Sequence, residues 1–160
     1  MRRLKFAILF FLLIHCLSGC NQYKSGSENQ VLNLPQEFII PSNKLGLIYY
    51  FDGDCSLCFH RIKSFKSILD SHYDFRDLYF KAIGTTNNVD LFTYNTNLFE
   101  LANYVIIDLD NNFYEENKDI ALLNNTYIIN RNREILRQYD SHTDFDELVE
   151  EILGVLKAMH

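Results

Sequence analysis

The chain has 160 residues, a formal net charge of −6, and a composition that is 48% hydrophobic and 14% aromatic. That length suits one domain with a real core and is too short for two comfortable ones. The acidic balance argues against nucleic acid and against electrostatic binding to anionic lipid.

Met1 to Lys5 is basic, and Phe6 to Leu17 is apolar apart from His15 and Cys16. This run is too short to span a bilayer comfortably and reads as a cleaved export signal. Leu17-Ser18-Gly19-Cys20 resembles the lipobox of bacterial lipoproteins. The resemblance implies that residues 1–19 are a signal peptide, that Cys20 is lipidated and starts the mature chain, and that the protein sits in the bacterial cell envelope. Asn21 follows Cys20 where Asp would signal retention, which leans towards the outer membrane, facing the periplasm. Loss of Arg2, Arg3 and Lys5 with the signal leaves the rest more acidic, so the lipid alone would hold the membrane. Residues 20–34 are polar at first and lack periodicity, as a flexible tether does. Residues 35–160 form the domain.

Within the domain, Phe38-Ile39-Ile40 is predicted as a short strand stopped by Pro41. Leu45 to Phe51 is apolar almost throughout, as expected for a central parallel strand covered on both faces. The segment Cys55-Ser56-Leu57-Cys58 follows. From Cys58, apolar residues recur at Ile62, Phe65 and Leu69, one helical stripe. Leu78 to Ile83 is a second strand, ended by Gly84. Residues 95–102 are predicted as a short helix, with Asn97 and Glu100 at capping-box spacing. Tyr104 to Asp108 is a third core strand, and Thr126 to Ile129 a fourth. Asn130 to Arg133 turns the chain into a strand at 134–139, an antiparallel hairpin. Phe145, Leu148, Val149, Ile152, Leu156 and Met159 mark a C-terminal amphipathic helix with Thr143 as candidate N-cap. Strand–helix alternation ending in a hairpin and a helix implies an α/β sandwich with helices on both faces.

The four cysteines divide cleanly. Cys16 leaves with the signal and Cys20 carries lipid, so Cys55 and Cys58 are the thiol pair of the domain. At a helix N-terminus the first of them meets unpaired N–H groups and the positive end of the helix dipole, which favours thiolate. Structural zinc would want four ligands, and His60, His72, His142 and His160 are scattered, so no metal site is assigned. Two readings stay open. One is a pair that cycles between dithiol and disulfide. The other is a permanent disulfide, whose tight loop would contribute little through chain entropy.

The run Leu47 to Cys58, the strand Tyr104 to Asp108, and the hairpin Thr126 to Ile135 together resemble the thioredoxin superfamily. More narrowly they resemble the membrane-anchored thioredoxin-like and peroxiredoxin-like (redoxin) branch of bacterial envelopes. The resemblance spans roughly residues 35–158. It implies a three-layer sandwich with a central mixed sheet and helices on both faces. It implies thiol–disulfide exchange with protein dithiol or disulfide clients, with Cys55 as nucleophile and Cys58 as resolving cysteine. It implies a membrane electron donor as partner and no organic cofactor.

Asn124, Asn125 and Thr126 fall where the family holds its substrate loop. The family's cis-proline position is occupied by Asn125, and a non-proline cis bond costs about 3–4 kcal/mol, so a trans bond is expected. The buried acid that some thioredoxins keep falls near Tyr49. Asp52 is the nearest carboxylate that could shuttle a proton. Asp54 stands beside Cys55, where its charge opposes thiolate, and Arg61 is placed to offset it if it reaches back. Peroxidase chemistry is disfavoured, because Asp52 stands where peroxiredoxins keep Thr or Ser. The alternative to an enzyme is a thioredoxin-fold binding module, or a soft-metal carrier that takes copper(I) on the two thiolates.

Overall fold

A computed structural model describes residues 30–158 except 36, 37 and 72. The signal peptide, Cys20, the tether up to residue 29, and Met159 lie outside the described residues.

The first strand, β1 (Leu45–Asp52), is buried along seven of its eight residues because both of its faces are covered. Its side chains alternate between two cores, as the pleat requires. Leu47, Tyr49 and Phe51 enter one cluster, while Ile48 and Tyr50 enter the other. Helix α1 (Ser56–Ser71) starts directly after Cys55 and buries Cys58, Phe59, Ile62 and Phe65. A single 3-10 turn (Tyr73–Phe75) leads to β2 (Leu78–Thr85). Helix α2 (Val89–Leu98) and strand β3 (Val105–Asp108) follow, then a five-residue helix α3 (Asn112–Glu116). Strands β4 (Thr126–Ile129) and β5 (Ile135–Tyr139) make the hairpin, and α4 (Phe145–Lys157) closes the chain.

The sheet has the order β3-β2-β1-β4-β5. β1 pairs in parallel with β2, and β2 with β3; β4 runs antiparallel to both β1 and β5. β1 is therefore the middle strand, and its C-terminal end delivers the chain to Cys55. The larger core joins odd residues of β1 to Phe59, Ile62 and Phe65 of α1, Phe92 of α2, and Leu148, Ile152 and Leu156 of α4. The smaller core joins Ile48 and Tyr50 to Tyr127, Phe113 of α3, and the incoming segment with Leu32, Leu34 and Phe38. Helices thus cover both faces of a mixed sheet, as expected from sequence.

Four local expectations change. Residues 31–34, assigned to the end of the tether, are packed. Val31 bridges to Glu134, the Leu32 N–H donates to the Arg133 carbonyl at 2.8 Å, and Leu32 and Leu34 are buried. Folded structure therefore starts before residue 35. Residues 38–40 are not a strand: Phe38 is buried, Ile39 is exposed, and the Phe38 N–H closes a turn onto the Pro35 carbonyl.

The helix expected at 95–102 instead spans Val89–Leu98. Asn88 caps it by accepting from the Leu91 N–H, and Glu100 with φ 58° turns the chain out of it. The cap of α4 is Asp144, not Thr143. Its Oδ1 accepts from the Asp146 and Glu147 N–H groups, whereas the Thr143 hydroxyl donates to Asp140.

Candidate active site

Cys55 occupies the turn between β1 and α1. Its N–H donates to the Asp52 carbonyl at 3.1 Å, and its carbonyl accepts from the Cys58 N–H at 3.0 Å. Its position just before Ser56 sets it beside the unpaired N–H groups of the first helical turn. Both cysteines carry free thiols; Cys55 is half-buried and Cys58 is buried. The neighbouring Leu57 is 76% exposed. Cys55 is therefore the more accessible residue of the pair.

Gly53 fixes this turn against β2. Its N–H donates to the Thr85 carbonyl at 2.7 Å. A Cβ on Gly53 would stand 2.8 Å from that carbonyl oxygen and 2.6 Å from Phe92 Cε2. Only a residue without a side chain allows so close an approach.

At Cys58 two polar side chains, Tyr49 and Asn124, converge from separate parts of the chain. The Cys58 thiol donates to Asn124 Oδ1 at 3.4 Å, and the Tyr49 hydroxyl donates to the same oxygen at 3.4 Å. Burial pushes the Cys58 thiol up to about 12, and hydrogen bonding and charge from Cys55 add to the rise, while a hydrogen bond from Tyr49 opposes it. Burial also raises the Tyr49 phenol well above its ordinary value, with Cys58 the next cause and Arg61 pulling it back. Tyr49 is held rigidly, stacked on Phe51 at 5.7 Å and tilted against Phe65 at 6.2 Å.

Arg61 reaches back from α1. Its guanidinium carbon lies 5.7 Å from the Tyr49 ring centre and 6.0 Å from that of Phe145. Its Nη2 donates to the Thr143 carbonyl at 3.4 Å, and its Nε is buried without a hydrogen-bond partner among the described residues.

Asn124 adopts the left-handed conformation at φ 64°, which asparagine tolerates better than most residues. Asn125 and Thr126 behave differently from Asn124. Both are buried, the Asn125 carbonyl accepts from the Tyr50 N–H at 3.0 Å, and Thr126 pairs with Tyr49 across β1 and β4. Of the three loop residues assigned from sequence, Asn124 is the one whose side chain hydrogen-bonds to Cys58. No cis peptide bond occurs among the described residues, so the bond at Asn125 is trans.

The carboxylates beside the motif accept hydrogen bonds from neighbouring loop groups. Asp52 Oδ1 accepts from the Asp54 N–H at 3.0 Å, and its charge is the smallest of the influences on Cys58. Asp54 accepts from the Thr86 hydroxyl and from the Asn87 N–H, which turns its carboxylate to the loop after β2. His60 packs edge-on against Phe99, with ring centres 4.6 Å apart, on the exposed side of α1.

An open groove of about 460 Å3 runs beside the motif, lined by Tyr49, Leu57, Cys58, Arg61, Asn124 and Phe145 among others. Exposed Leu122 and Leu123 lie just before Asn124. Among the described residues no cluster of three or more His, Cys, Asp or Glu is placed to hold a metal ion. No described helix is long and apolar enough to cross a membrane.

The Tyr49–Asn124–Cys58 cluster is what sequence reasoning missed. Its one available signal was Tyr49, a polar group standing in an apolar strand six residues before Cys55.

No family model matches the chain, and no curated protein matches it in sequence. Solved structures resemble it in fold. The MTB protein DsbF shares 12% identity at a TM-score of 0.56, over 71% of this chain and 81% of that one. The thioredoxin domain of a thiol-disulfide oxidoreductase from Bacteroides vulgatus shares 9% identity at a TM-score of 0.54, over 78% and 99%. The peroxidoxin BcpB from Mycobacterium tuberculosis shares 14% identity at a TM-score of 0.55, over 74% and 82%. The fold of this protein is thioredoxin-like.

Proposed function

We propose that this protein is a thiol–disulfide oxidoreductase of the bacterial cell envelope, tethered by lipid on Cys20 and acting on protein clients through Cys55 and Cys58. The observation that carries the reading is the division of labour within the pair. Cys55 is half-exposed at a helix start, and Cys58 is buried with its sulfur hydrogen-bonded. A purely structural disulfide needs neither the exposure nor the polar cluster beneath it.

The proposed reaction runs in two exchanges. Cys55 thiolate attacks one sulfur of a client disulfide; a Cys55–client disulfide forms and the other client sulfur leaves as thiolate. Cys58 thiolate then attacks Cys55 Sγ; the Cys55–Cys58 bond forms, the Cys55–client bond breaks, and the second client sulfur leaves and takes up a proton. The client is reduced by two electrons and the cysteine pair is oxidised. A membrane electron donor returns the pair to dithiol. The sulfur pair is the only redox group that this scheme requires, and the direction of flow follows from its potential against the compartment. Clients of this chemistry are extended, partly apolar segments, and exposed Leu57 in the groove lining offers them apolar contact.

The test is a trap in the native envelope with Cys58→Ser. Exchange catalysis predicts mixed disulfides between Cys55 and client proteins, and reductant releases them. A monomer free of adducts under oxidising conditions would sink the proposal. Copper(I) titration of the reduced protein separates the carrier reading, which predicts tight binding that Cys55→Ser abolishes.

A further inference from the structure

We propose that Tyr49 is a positioning residue for the resolving sulfur, forming with Asn124 a two-state hydrogen-bond switch on Cys58. In the dithiol state both the Cys58 thiol and the Tyr49 hydroxyl donate to Asn124 Oδ1. A carboxamide oxygen has two lone pairs and accommodates both. When Cys58 loses its proton, the sulfur stops being a donor and becomes a charged acceptor in a buried position. The Tyr49 O–H then turns from Asn124 to Cys58 Sγ.

The proposal rests on the redox reading and deepens it. The geometry on which it stands is independent of any client. Tyr49 is locked by its stacking on Phe51 and its place opposite Thr126 in the sheet, so its hydroxyl has a fixed origin. Tyr49 Oη and Cys58 Sγ each lie 3.4 Å from the same Asn124 Oδ1, which brings the hydroxyl and the sulfur together around one acceptor. The ionisable groups facing Cys58 are Cys55 from the preceding turn, and Tyr49 and Asp52 from β1; Arg61 on α1 faces Tyr49. Asp52 and a charged Cys55 disfavour a Cys58 thiolate, so among these groups facing the sulfur the phenol is the one that can donate a hydrogen bond to it.

In the resolving step the Cys58 proton passes to water in the groove that Cys58 lines. The thiolate, held by the Tyr49 O–H, attacks Cys55 Sγ of the mixed disulfide. The new Cys55–Cys58 bond forms as the bond to the client breaks. The two partners of the switch act in opposite directions. Asn124 Oδ1 stabilises the thiol by accepting from it, and Tyr49 stabilises the thiolate by donating to it.

That opposition supplies the test. In the full chain carrying Cys55→Ser, Cys58 ionisation is followed by its ultraviolet thiolate absorbance and by its alkylation rate against pH. Adding Tyr49→Phe, which keeps the ring and its packing, is expected to move the midpoint up by about one pH unit, a roughly tenfold slower alkylation at fixed pH below it. Adding Asn124→Gly, which tolerates the left-handed backbone, is expected to move the midpoint down. A merely structural role would not shift the two variants in opposite directions. An unmoved or lowered midpoint in Tyr49→Phe, or an unmoved or raised one in Asn124→Gly, overturns the switch. These titrations need no client, so their failure is distinct from failure of the Cys58→Ser trap.

Discussion

Cys58 Sγ donates to Asn124 Oδ1 at 3.4 Å, joining the first turn of α1 to a loop 66 residues further along the chain. The bond reaches from the motif to the residue before the buried Asn125–Thr126 pair, which is continuous with β4. The Cys58 sulfur is thus tied to the wall of the groove beside the motif.

The first prediction concerns pH. The Cys58 thiol is pushed up from 9.0 to about 12, chiefly by burial. A group whose folded-state value exceeds its unfolded one binds its proton more tightly when folded. Its contribution to stability is complete below pH 9.0 and is lost as pH rises towards about 12. The Tm of the reduced protein is expected to fall across that window, and to fall less steeply in Cys58→Ala. The Tyr49 phenol, also raised by burial, acts with the same sign at higher pH and leaves a residual slope in the variant. Identical slopes in the two proteins would contradict the assignment.

Gly53→Ala is expected to destabilise the fold by about 1–3 kcal/mol, the usual cost of overpacking. The new methyl meets the Thr85 carbonyl oxygen and the Phe92 ring, neither of which retreats without disturbing β2 or the core. Urea unfolding measures the loss. Because the glycine fixes the turn before Cys55, the Cys55 alkylation rate is expected to change with it. Gly154→Ala is the control, since nothing lies within 4 Å of a Cβ there.

Capping of α4 separates two neighbouring residues. Asp144→Ala removes the side chain that accepts from the Asp146 and Glu147 N–H groups, and is expected to cost about 1 kcal/mol. Thr143→Ala removes only an exposed hydroxyl bonded to Asp140 and is expected to cost less than half of that. Denaturant midpoints that rank the two the other way round would refute the assignment of Asp144 as the cap.

Leu57, 76% exposed between the two cysteines, contributes little to the core. Leu57→Asp is expected to leave stability within about 0.5 kcal/mol of the parent. In the Cys58→Ser background the same change is expected to lower the yield of trapped mixed disulfides roughly fivefold or more, as loss of a central apolar contact does. Undiminished trapping would remove Leu57 from the client surface.

Elements whose signal is local are legible in the chain alone. A run apolar almost throughout, Leu45 to Phe51, announces a strand covered on both faces, and β1 is that strand. The i, i+4, i+7 stripe from Cys58 announces α1, and the Asn130–Arg133 turn announces the β4–β5 hairpin. The strand–Cys–x–x–Cys–helix layout was legible for the same reason, because dihedral preference and amphipathic period act over a few residues.

Features that depend on distant partners emerge only when the chain folds. Residues 31–34 look like tether until Glu134, Arg133 and Asn117 are brought against them. Helix α3 is too short for periodicity to reveal. The capping-box spacing at Asn97 and Glu100 competed with the real cap at Asn88, and Phe92 settled the matter by docking on Phe51 and Phe59. Above all, Tyr49, Cys58 and Asn124 meet because β1, α1 and the loop before β4 converge on one point. No local preference encodes that meeting: burial of three separate segments around one sheet creates it, and with it the environment of the Cys58 sulfur.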